Sequence, residues 1–341
     1  MKWRCIFLEI IKHNMKNAPK ISIVMPAYNA EKRITNAIES VIQQKFKKWE
    51  LLIVNDGSSD NTLQVCNTYA RKDERIKVYS QKNKGPSSAR NTALNLINGD
   101  LLMFLDADDT LEKHTLSILV SVFEEDNNID LCIFAWNIIR NGKKITHKFS
   151  KRELRGNKED YFRNIAYSSN WNIYSGGYPW NKVWKVKTIF KDGMIKFNEH
   201  VVLLEDRLFA LEAIDKINKL KVINHPLYNY VINENSTSHS SNISTILKQN
   251  LYCYDALKYE YKYIEKYHNS ARDIAQKALL QGQINCLWFV LRNFERKDIL
   301  NELQIVINDF RETRFKYLNL KLSIKYILIR LRLHNFDLSN K

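Results

Sequence analysis

The first hundred residues of the chain alternate between short apolar runs and segments whose apolar residues recur at helical spacing. Four apolar or alternating runs predict β-strands, and three amphipathic segments between them predict helices. The predicted strands cover residues 21–25, 49–54, 75–80 and 101–105, and the predicted helices cover 31–44, 62–70 and 89–97. Because strands and helices alternate, we expect an α/β fold in which helices cover a mostly parallel central sheet, as in Rossmann-like domains.

The pattern becomes less regular after residue 110 and helical again near the end of the chain. A helix is predicted over 116–123, a strand over 131–135 and a further helix over 203–214, followed by a polar linker over 233–242 and only helices over 243–333. We therefore expect an N-terminal extension (1–19), an α/β catalytic domain (20–240, with a nucleotide-binding half over 20–111 and an acceptor half over 112–240) and a helical C-terminal region (241–341).

The charge and the cysteines narrow the class of protein. The 341 residues carry a formal net charge of +16, which favours a nucleic acid, an anionic membrane surface or a phosphorylated substrate as partner. The five cysteines are scattered without a Cys-x-x-Cys pair, which argues against a zinc site or a disulfide framework and favours a cytoplasmic protein. The first apolar run is short and contains Glu9, and apolar stretches of about 18 residues are missing, so we expect neither a signal peptide nor a membrane span.

Polar side chains follow three of the four predicted strands of the nucleotide-binding half. Tyr28 follows the first strand, Asp56 the second, and Asp106 and Asp108 the fourth. Ligands of open α/β sheets bind beyond the carboxyl ends of the strands, so these side chains predict a ligand site at one edge of the sheet.

Asp106 and Asp108 have the residue type and spacing of a metal and diphosphate site. When a sugar leaves a nucleoside diphosphate, negative charge develops on the leaving group, and Mg²⁺ or Mn²⁺ held by carboxylate oxygens neutralises it. Two aspartates spaced i, i+2 after a strand suit this role, one for the metal and one for a ribose hydroxyl or water. The alternative is a turn or helix cap, since Asp109 and Thr110 precede Leu111.

Glu205 and Asp206 are candidates for a general base, because an acceptor hydroxyl is a poor nucleophile and neighbouring carboxylates raise each other's proton affinity. The alternative is an exposed helix face.

Asp56 can accept the N–H of a nucleobase or serve an ordinary β-to-α turn. Lys84 and Arg90 can contact a diphosphate or a base, or lie in a solvated loop.

Aromatic residues of the acceptor half offer a platform for a sugar ring, although aromatic side chains also fill cores. The best single candidate is Trp180, beside Asn181. The remaining candidates of this region are Trp171 and Trp184, and a later loop over the site with Tyr228, Tyr230, Ser236, Ser238 and His239.

Five motifs in this order resemble family 2 of the inverting glycosyltransferases, which have the GT-A fold and include enzymes of bacterial cell-surface polysaccharide synthesis. The motifs are Ile23-Val-Met-Pro-Ala-Tyr-Asn29, Val54-Asn-Asp-Gly-Ser-Ser-Asp60, Gly85-Pro-Ser-Ser-Ala-Arg-Asn91, Leu105-Asp-Ala-Asp-Asp109 and Glu205-Asp206. The resemblance is strongest over residues 20–111, continues to about residue 240 and does not extend beyond.

The resemblance implies a role for each matching residue. It implies a UDP-sugar donor, a glycan or lipid-linked acceptor, and one in-line displacement that inverts the anomeric carbon. Ala27, Tyr28 and Asp56 would bind the nucleoside, Arg90 the base or diphosphate, Asp106 the ribose and Asp108 the Mg²⁺ or Mn²⁺ ion, while Asp206 would be the general base with Glu205 assisting.

The C-terminal segment 311–334 is rich in lysine and arginine. On a helix, Arg314, Lys321, Lys325 and Arg332 fall on one face, which predicts peripheral binding to an anionic membrane at the inner face of the cytoplasmic membrane. The alternative is a helix packed on the catalytic domain with solvated lysines.

Two rival functions are weaker on the residues present. A metal-dependent nucleotidyltransferase also uses strand-end aspartates, but it would need a glycine-rich phosphate loop, which Pro26-Ala-Tyr-Asn29 is not. A basic nucleic-acid-binding protein explains the charge but not the acidic strand ends. An inactive glycosyltransferase scaffold is disfavoured because Asp106, Asp108 and Asp206 are all present.

Overall fold

The computed structural model describes residues 18–151, 153–167, 177–232, 243–268 and 271–293, and near the C-terminus 306, 309–310, 323 and 325–330. The chain divides into two compact units. The first contains Met1–Glu159, Tyr178–Glu199 and Glu212–Asn233, and the second contains Asp160–Gly177, His200–Leu211 and Glu234–Lys341. The predicted division into an extension, a catalytic domain and a C-terminal region stays a prediction.

All nine described strands belong to one sheet of the first unit. They are β1 (Ile21–Ala27), β2 (Trp49–Asp56), β3 (Ile76–Gln81), β4 (Leu101–Phe104), β5 (Thr110–Leu111), β6 (Leu131–Arg140), β7 (Lys143–His147), β8 (Lys182–Lys185) and β9 (Leu220–Val231).

The strand order is β3-β2-β1-β4-β8-β6-β9-β5, with β7 paired to β6. The pairs β1–β2, β2–β3, β1–β4 and β6–β9 are parallel, whereas β8 is antiparallel to both β4 and β6. The three longest ladders, β6–β9, β1–β2 and β2–β3, are all parallel, so the predicted mostly parallel sheet is confirmed.

Helices connect the parallel strands and cover the sheet, as the alternating pattern predicts. The described helices are α1 (Ile34–Ile42), α2 (Thr62–Ala70), α3 (Pro86–Leu94), α4 (Thr115–Glu125), α5 (Lys158–Tyr167), α6 (Val186–Ile189), α7 (Glu205–Lys216), α8 (Ile243–Tyr267) and α9 (Arg272–Asn293), with a 3₁₀ turn at Glu153–Arg155.

The nucleotide-binding half folds nearly as its pattern predicts, because its strands are buried on both faces. All eight residues of β2 are buried, as are six of the seven in β1. The predicted helix over 89–97 is wrong at both ends, because α3 begins and ends three residues earlier, at Pro86 and Leu94. Pro86 suits the first helical turn, and Gly85 turns into it with a φ of +90°.

The acceptor half contains strands that the pattern did not predict. The aromatic stretch before residue 184 ends in β8, and β9 follows α7. Tyr228 and Tyr230 lie in β9, so the prediction that they belong to a loop is wrong. Ser236, Ser238, His239 and Trp171 lie outside the described residues.

The regular secondary structure described in the second unit is all helical. Helices α8 and α9 pack against each other, and a buried cluster joins them to residues further along the chain. The cluster contains Tyr254, Leu280, Ile284, Cys286, Leu287, Val306, Phe310, Tyr326 and Ile329. Among the described residues, no helix combines the length and apolar character needed to cross a bilayer.

Candidate functional site

The loops that follow β1 and β2 are joined by hydrogen bonds at the carboxyl edge of the sheet. Ala27 ends β1 opposite Asn55 of β2, and Tyr28 beyond it is 51% exposed. Asn29 adopts a φ of +46°, its N–H donates to the Ser58 hydroxyl at 3.0 Å, and its side-chain oxygen accepts the N–H of Ser59 at 2.9 Å. The two strand ends that the sequence singled out therefore form one surface, with Tyr28 facing solvent.

The Asp56 carboxylate organises the loop between β3 and α3. It is buried and accepts three hydrogen bonds, from the Gln81 side chain at 2.8 Å, the Lys84 N–H at 3.0 Å and the Gly85 N–H at 2.8 Å. A carboxylate has about four acceptor positions, so these bonds leave room for one further donor such as a nucleobase N–H. Asp56 thus stabilises the turn, which is the alternative role expected from the sequence, and it keeps an acceptor position for a nucleoside.

Arg90 reaches the Asp-x-Asp turn from α3. Its guanidinium donates to Asp106 Oδ1 at 3.2 Å and lies 5.1 Å from the centre of the Phe197 ring, and the residue is only 7% exposed. The backbone of Phe197 is held by the neighbouring Asn91, whose side chain both accepts its N–H and donates to its carbonyl. Arg90 is therefore a fixed cation beside Asp106. Lys84, in contrast, is exposed, in agreement with a solvated loop.

The three aspartates after β4 have different environments. Asp106 and Asp108 are half-buried, whereas Asp109 is 1% exposed. Asp109 accepts the Tyr228 hydroxyl at 2.7 Å and the Val231 N–H at 2.7 Å, so it joins the turn to β9. Asp109 does not cap a helix, because β5 follows it and α4 begins only at Thr115.

Burial and mutual repulsion act on these carboxylates. Burial raises the pKa of Asp108, the charge of Asp106 raises it further, and Arg33 acts in the opposite direction. Burial also raises the pKa of Asp109 well above its usual range. Carboxylates that repel each other in a half-buried turn are suited to a hard divalent cation. Among the described residues, however, no group of three or more acidic, histidine or cysteine side chains has the arrangement of a metal site.

An aromatic cluster lies beside the aspartates. Trp180 stacks with Tyr178 at 5.1 Å, with Tyr228 at 4.7 Å and with Tyr230 at 5.8 Å between ring centres. Trp180 is 5% exposed and therefore fills the core, which is the alternative that the sequence left open. Trp184 is fully buried as well. Tyr178 and Tyr230 are half-buried at this cluster. Tyr230 was among the candidates from the sequence, whereas Tyr178 was not.

Glu205 and Asp206 open helix α7 and belong to the second unit, whereas Asp56, Asp106 and Asp108 belong to the first. Both residues are half-buried, so a fully solvated helix face is excluded. Leu204 before them has a φ of +64°, and the N–H of Arg207 donates to the Leu204 carbonyl at 3.1 Å and to Asp206 Oδ1 at 2.8 Å. The expected role of Asp206 as general base stays a prediction.

The mostly parallel sheet, with acidic residues at its carboxyl edge, is consistent with the GT-A fold that the resemblance implied. Residues 22–182 match the family model described as Glycosyl transferase family 2. The matched part of the chain is therefore a family 2 glycosyltransferase domain, and the resemblance drawn from its motifs is confirmed.

Curated relatives and solved structures agree with this assignment. The chain is 27% identical over 246 residues to the cholesterol galactosyltransferase of Borreliella burgdorferi, covering 68% of this chain and 65% of that protein. It is 29% identical over 225 residues to the poly(ribitol-phosphate) β-N-acetylglucosaminyltransferase TarS of Staphylococcus aureus (strain MW2), covering 65% and 37%. The match thus spans less than two thirds of either relative. The crystal structure of S. aureus TarS 1–349 in complex with UDP superimposes with a TM-score of 0.58 at 22% identity, over 85% of this chain and 79% of that one, and so shares its fold.

Proposed function

We propose that the chain is an inverting glycosyltransferase that moves a sugar from a UDP-sugar to a hydroxyl of a glycan or lipid-linked acceptor in cell-surface polysaccharide synthesis. The observation that carries the proposal is the turn after β4, where the half-buried Asp106 and Asp108 lie beside the fixed guanidinium of Arg90 at the carboxyl edge of the sheet. The family relatives that transfer galactose or N-acetylglucosamine support this reaction class.

The donor would bind along the joined ends of β1 and β2. In this proposal Ala27 and Tyr28 contact the nucleoside, and Asp56 accepts a base N–H at its remaining acceptor position while its other bonds hold the loop in place. Asp106 would bind the ribose, and its orientation is fixed by Arg90. The buried cation of Arg90 also favours the negative charge of a diphosphate at this edge.

A divalent cation fits the carboxylates of this turn. Asp108, with Asp106 beside it, would hold Mg²⁺ or Mn²⁺, which supplies positive charge for the departing diphosphate when bound. The carboxylate of Asp206, assisted by Glu205, would accept the proton of the acceptor hydroxyl as that oxygen attacks the anomeric carbon from the side opposite the diphosphate. One displacement of this kind inverts the anomeric configuration.

The donor site is tested by calorimetric titration with UDP, first with Mn²⁺ and then with EDTA. Wild-type protein should bind UDP only with the metal, and Asp108→Ala should lose that binding. Asp192→Ala is the matched control, because Asp192 is an exposed aspartate paired only with a surface lysine, Lys216, at 3.0 Å. UDP binding that is equal with Mn²⁺ and EDTA would contradict metal dependence, and absent binding in both would contradict a uridine donor.

The base assignment is tested separately with Asp206→Asn. We expect UDP affinity to stay near the wild-type value while the rate of sugar transfer or donor hydrolysis falls by about 10²–10⁴, the usual contribution of a general base. Full activity in this variant would show that another group accepts the proton.

We also propose that the basic segment 311–334 binds an anionic membrane surface. Within it, Ile327 and Leu328 are exposed, but Lys325 lies over the Trp288 ring at 5.5 Å and Ile329 is buried in the second unit. Deleting the segment would therefore damage the core. The sharper variant changes Arg314, Lys321 and Arg332 to Gln, and it should bind phosphatidylglycerol vesicles less than wild type in a co-sedimentation assay. Equal binding would favour a packed helix without a membrane role.

A further inference from the structure

A buried ion pair involves Arg207, the residue that follows Glu205 and Asp206 in α7. Arg207, the third residue of α7, donates from its guanidinium to Glu260 Oε2 of α8 at 3.0 Å. The two side chains are 6% and 3% exposed, so this pair is shielded from water far more than Lys258–Asp309 of the same unit, at 30% and 34%. Both partners belong to the same compact unit.

Stability alone is a poor explanation for this pair. Removing two charges from water carries a desolvation penalty that often exceeds their attraction, and apolar residues of similar size are commonly as stable or more so. Burial raises the pKa of Glu260, although the charge of Arg207 opposes the shift. Within the described residues, Glu260 Oε1 accepts no hydrogen bond, so the pair lacks the two-pronged geometry of the strongest arginine–carboxylate contacts.

The pair instead fixes a short, strained turn. Leu204 has a left-handed φ of +64°, which is unfavourable for a branched residue, and the Arg207 N–H bonds both the Leu204 carbonyl and Asp206 Oδ1. Gly177 packs so closely against the side chain of Arg207 that a Cβ atom at position 177 would overlap it. Arg207 is thus held at its backbone, along its side chain and at its guanidinium.

We propose that the Arg207–Glu260 ion pair sets the orientation of the Asp206 carboxylate, and that Glu260 is a positioning residue for sugar transfer. The inference rests on the proposed function, because it assumes that Asp206 accepts the acceptor proton. It assigns a catalytic task to α8, which lies beyond the residues 22–182 that match the family model.

The physical consequence of losing the pair follows from the turn that it holds. Without Glu260, the guanidinium of Arg207 loses this buried acceptor and shifts, and the backbone N–H that bonds Asp206 moves with it. A misplacement of a reacting group by about 1 Å can lower a rate by about 10²-fold, whereas binding of the donor nucleotide to the first unit does not depend on this contact.

Three variants separate positioning from folding. Glu260→Gln keeps the shape but removes the charge, and the double variant Arg207→Met/Glu260→Leu removes both charges and restores apolar packing. Lys258→Met is the matched control, since it breaks a pair on the same helix, the contact with Asp309 at 2.7 Å. Each variant is assayed for UDP affinity with Mn²⁺, for Tm, and for kcat and KM of UDP release from UDP-GlcNAc, UDP-glucose and UDP-galactose with water as acceptor.

We expect Glu260→Gln and the double variant to lower kcat by about 10²-fold while KM and UDP affinity change by less than about threefold. The double variant should keep the wild-type Tm, and Lys258→Met should keep the wild-type kcat. Wild-type kcat in the folded double variant would overturn the inference, because the pair would then be structural only. If the wild type binds UDP and releases it from a donor, and the variants release it equally fast, this inference alone is refuted. If the wild type neither binds UDP nor releases it from a donor, the proposed function is refuted as well.

Discussion

Glu50 joins the amino-terminal ends of three parallel strands, and we predict that Glu50→Gln destabilises the sheet in a pH-dependent manner. Its carboxylate accepts the Ser22 hydroxyl at 2.6 Å, the Asn98 N–H at 2.7 Å and the Lys20 ammonium at 2.9 Å. These partners lie at the starts of β1 and just before β4, while Glu50 itself is in β2. The network lies at the end of the sheet opposite the candidate site.

The size of the effect follows from the pKa of Glu50. Burial alone would raise this pKa, but the hydrogen bonds from Ser22, Lys20 and Asn98 outweigh burial and lower it from an ordinary value of 4.5 to about 2. Each pKa unit corresponds to about 1.4 kcal/mol, so the charged form contributes about 3 kcal/mol to folding at pH 7. Because the folded-state pKa is the lower one, this contribution is complete above about pH 5 and falls to about 1 kcal/mol at pH 3.

The assay is urea unfolding of wild type and Glu50→Gln at pH 7 and pH 3, followed by tryptophan fluorescence. The difference in unfolding free energy between the two proteins should shrink between the two pH values, since other groups titrate equally in both. Lys77→Met is the control, because Lys77 contacts Glu50 only at 3.5 Å and is 41% exposed, and its loss should cost no more than about 1 kcal/mol. A difference that is the same at both pH values would refute the reasoning.

Three further outcomes follow from individual residues of the first unit. Gly57→Ala should destabilise more than Gly142→Ala in urea unfolding, because both have a positive φ but only at position 57 would a Cβ meet a backbone nitrogen, at 2.7 Å; equal losses would contradict this. Asp109→Asn places an amide N–H against the Val231 N–H or the Tyr228 hydroxyl, so the free energy of unfolding should fall by about 1–3 kcal/mol and the Tm should fall with it. An unchanged Tm would argue against these bonds. Burial raises the pKa of Cys132 to about 12, so iodoacetamide at pH 8 should alkylate it only after unfolding, as peptide mass spectrometry can determine.

The nucleotide-binding half was predictable from sequence because its parallel strands are buried on both faces. Such strands appear as nearly continuous apolar runs, as in β4 and, apart from Ser22 and Glu50, in β1 and β2. The error at α3 had a local cause: apolar spacing indicates where a helix is buried, but Pro86 and Gly85 determine where it begins.

The acceptor half was less predictable because its strands are short or unevenly buried. Strand β8 has only four residues, which is too few for a periodic signal. Strand β9 alternates irregularly and contains Pro226, where its register against β6 shifts. A proline within a strand argues against a strand in a sequence pattern, yet at a bulge it is tolerated because no ladder hydrogen bond is lost.

For the site, strand ends located the residues but could not show how they pair. Asp56 ends β2, and Asp106 and Asp108 follow β4, so a topological rule suffices to bring them to one edge, whereas Arg90 reaches that edge from within α3. In the sequence, the third aspartate, Asp109, supported the alternative in which the turn is a helix cap. In the structure the carboxylate of Asp109 is bonded to β9, and these bonds hold the turn in place. The carboxylates of Asp106 and Asp108 remain half-buried at the edge of the sheet. The residue that argued against a functional turn is therefore the one that holds it in place, and only the long-range partner in β9, about 120 residues later in the chain, reveals this.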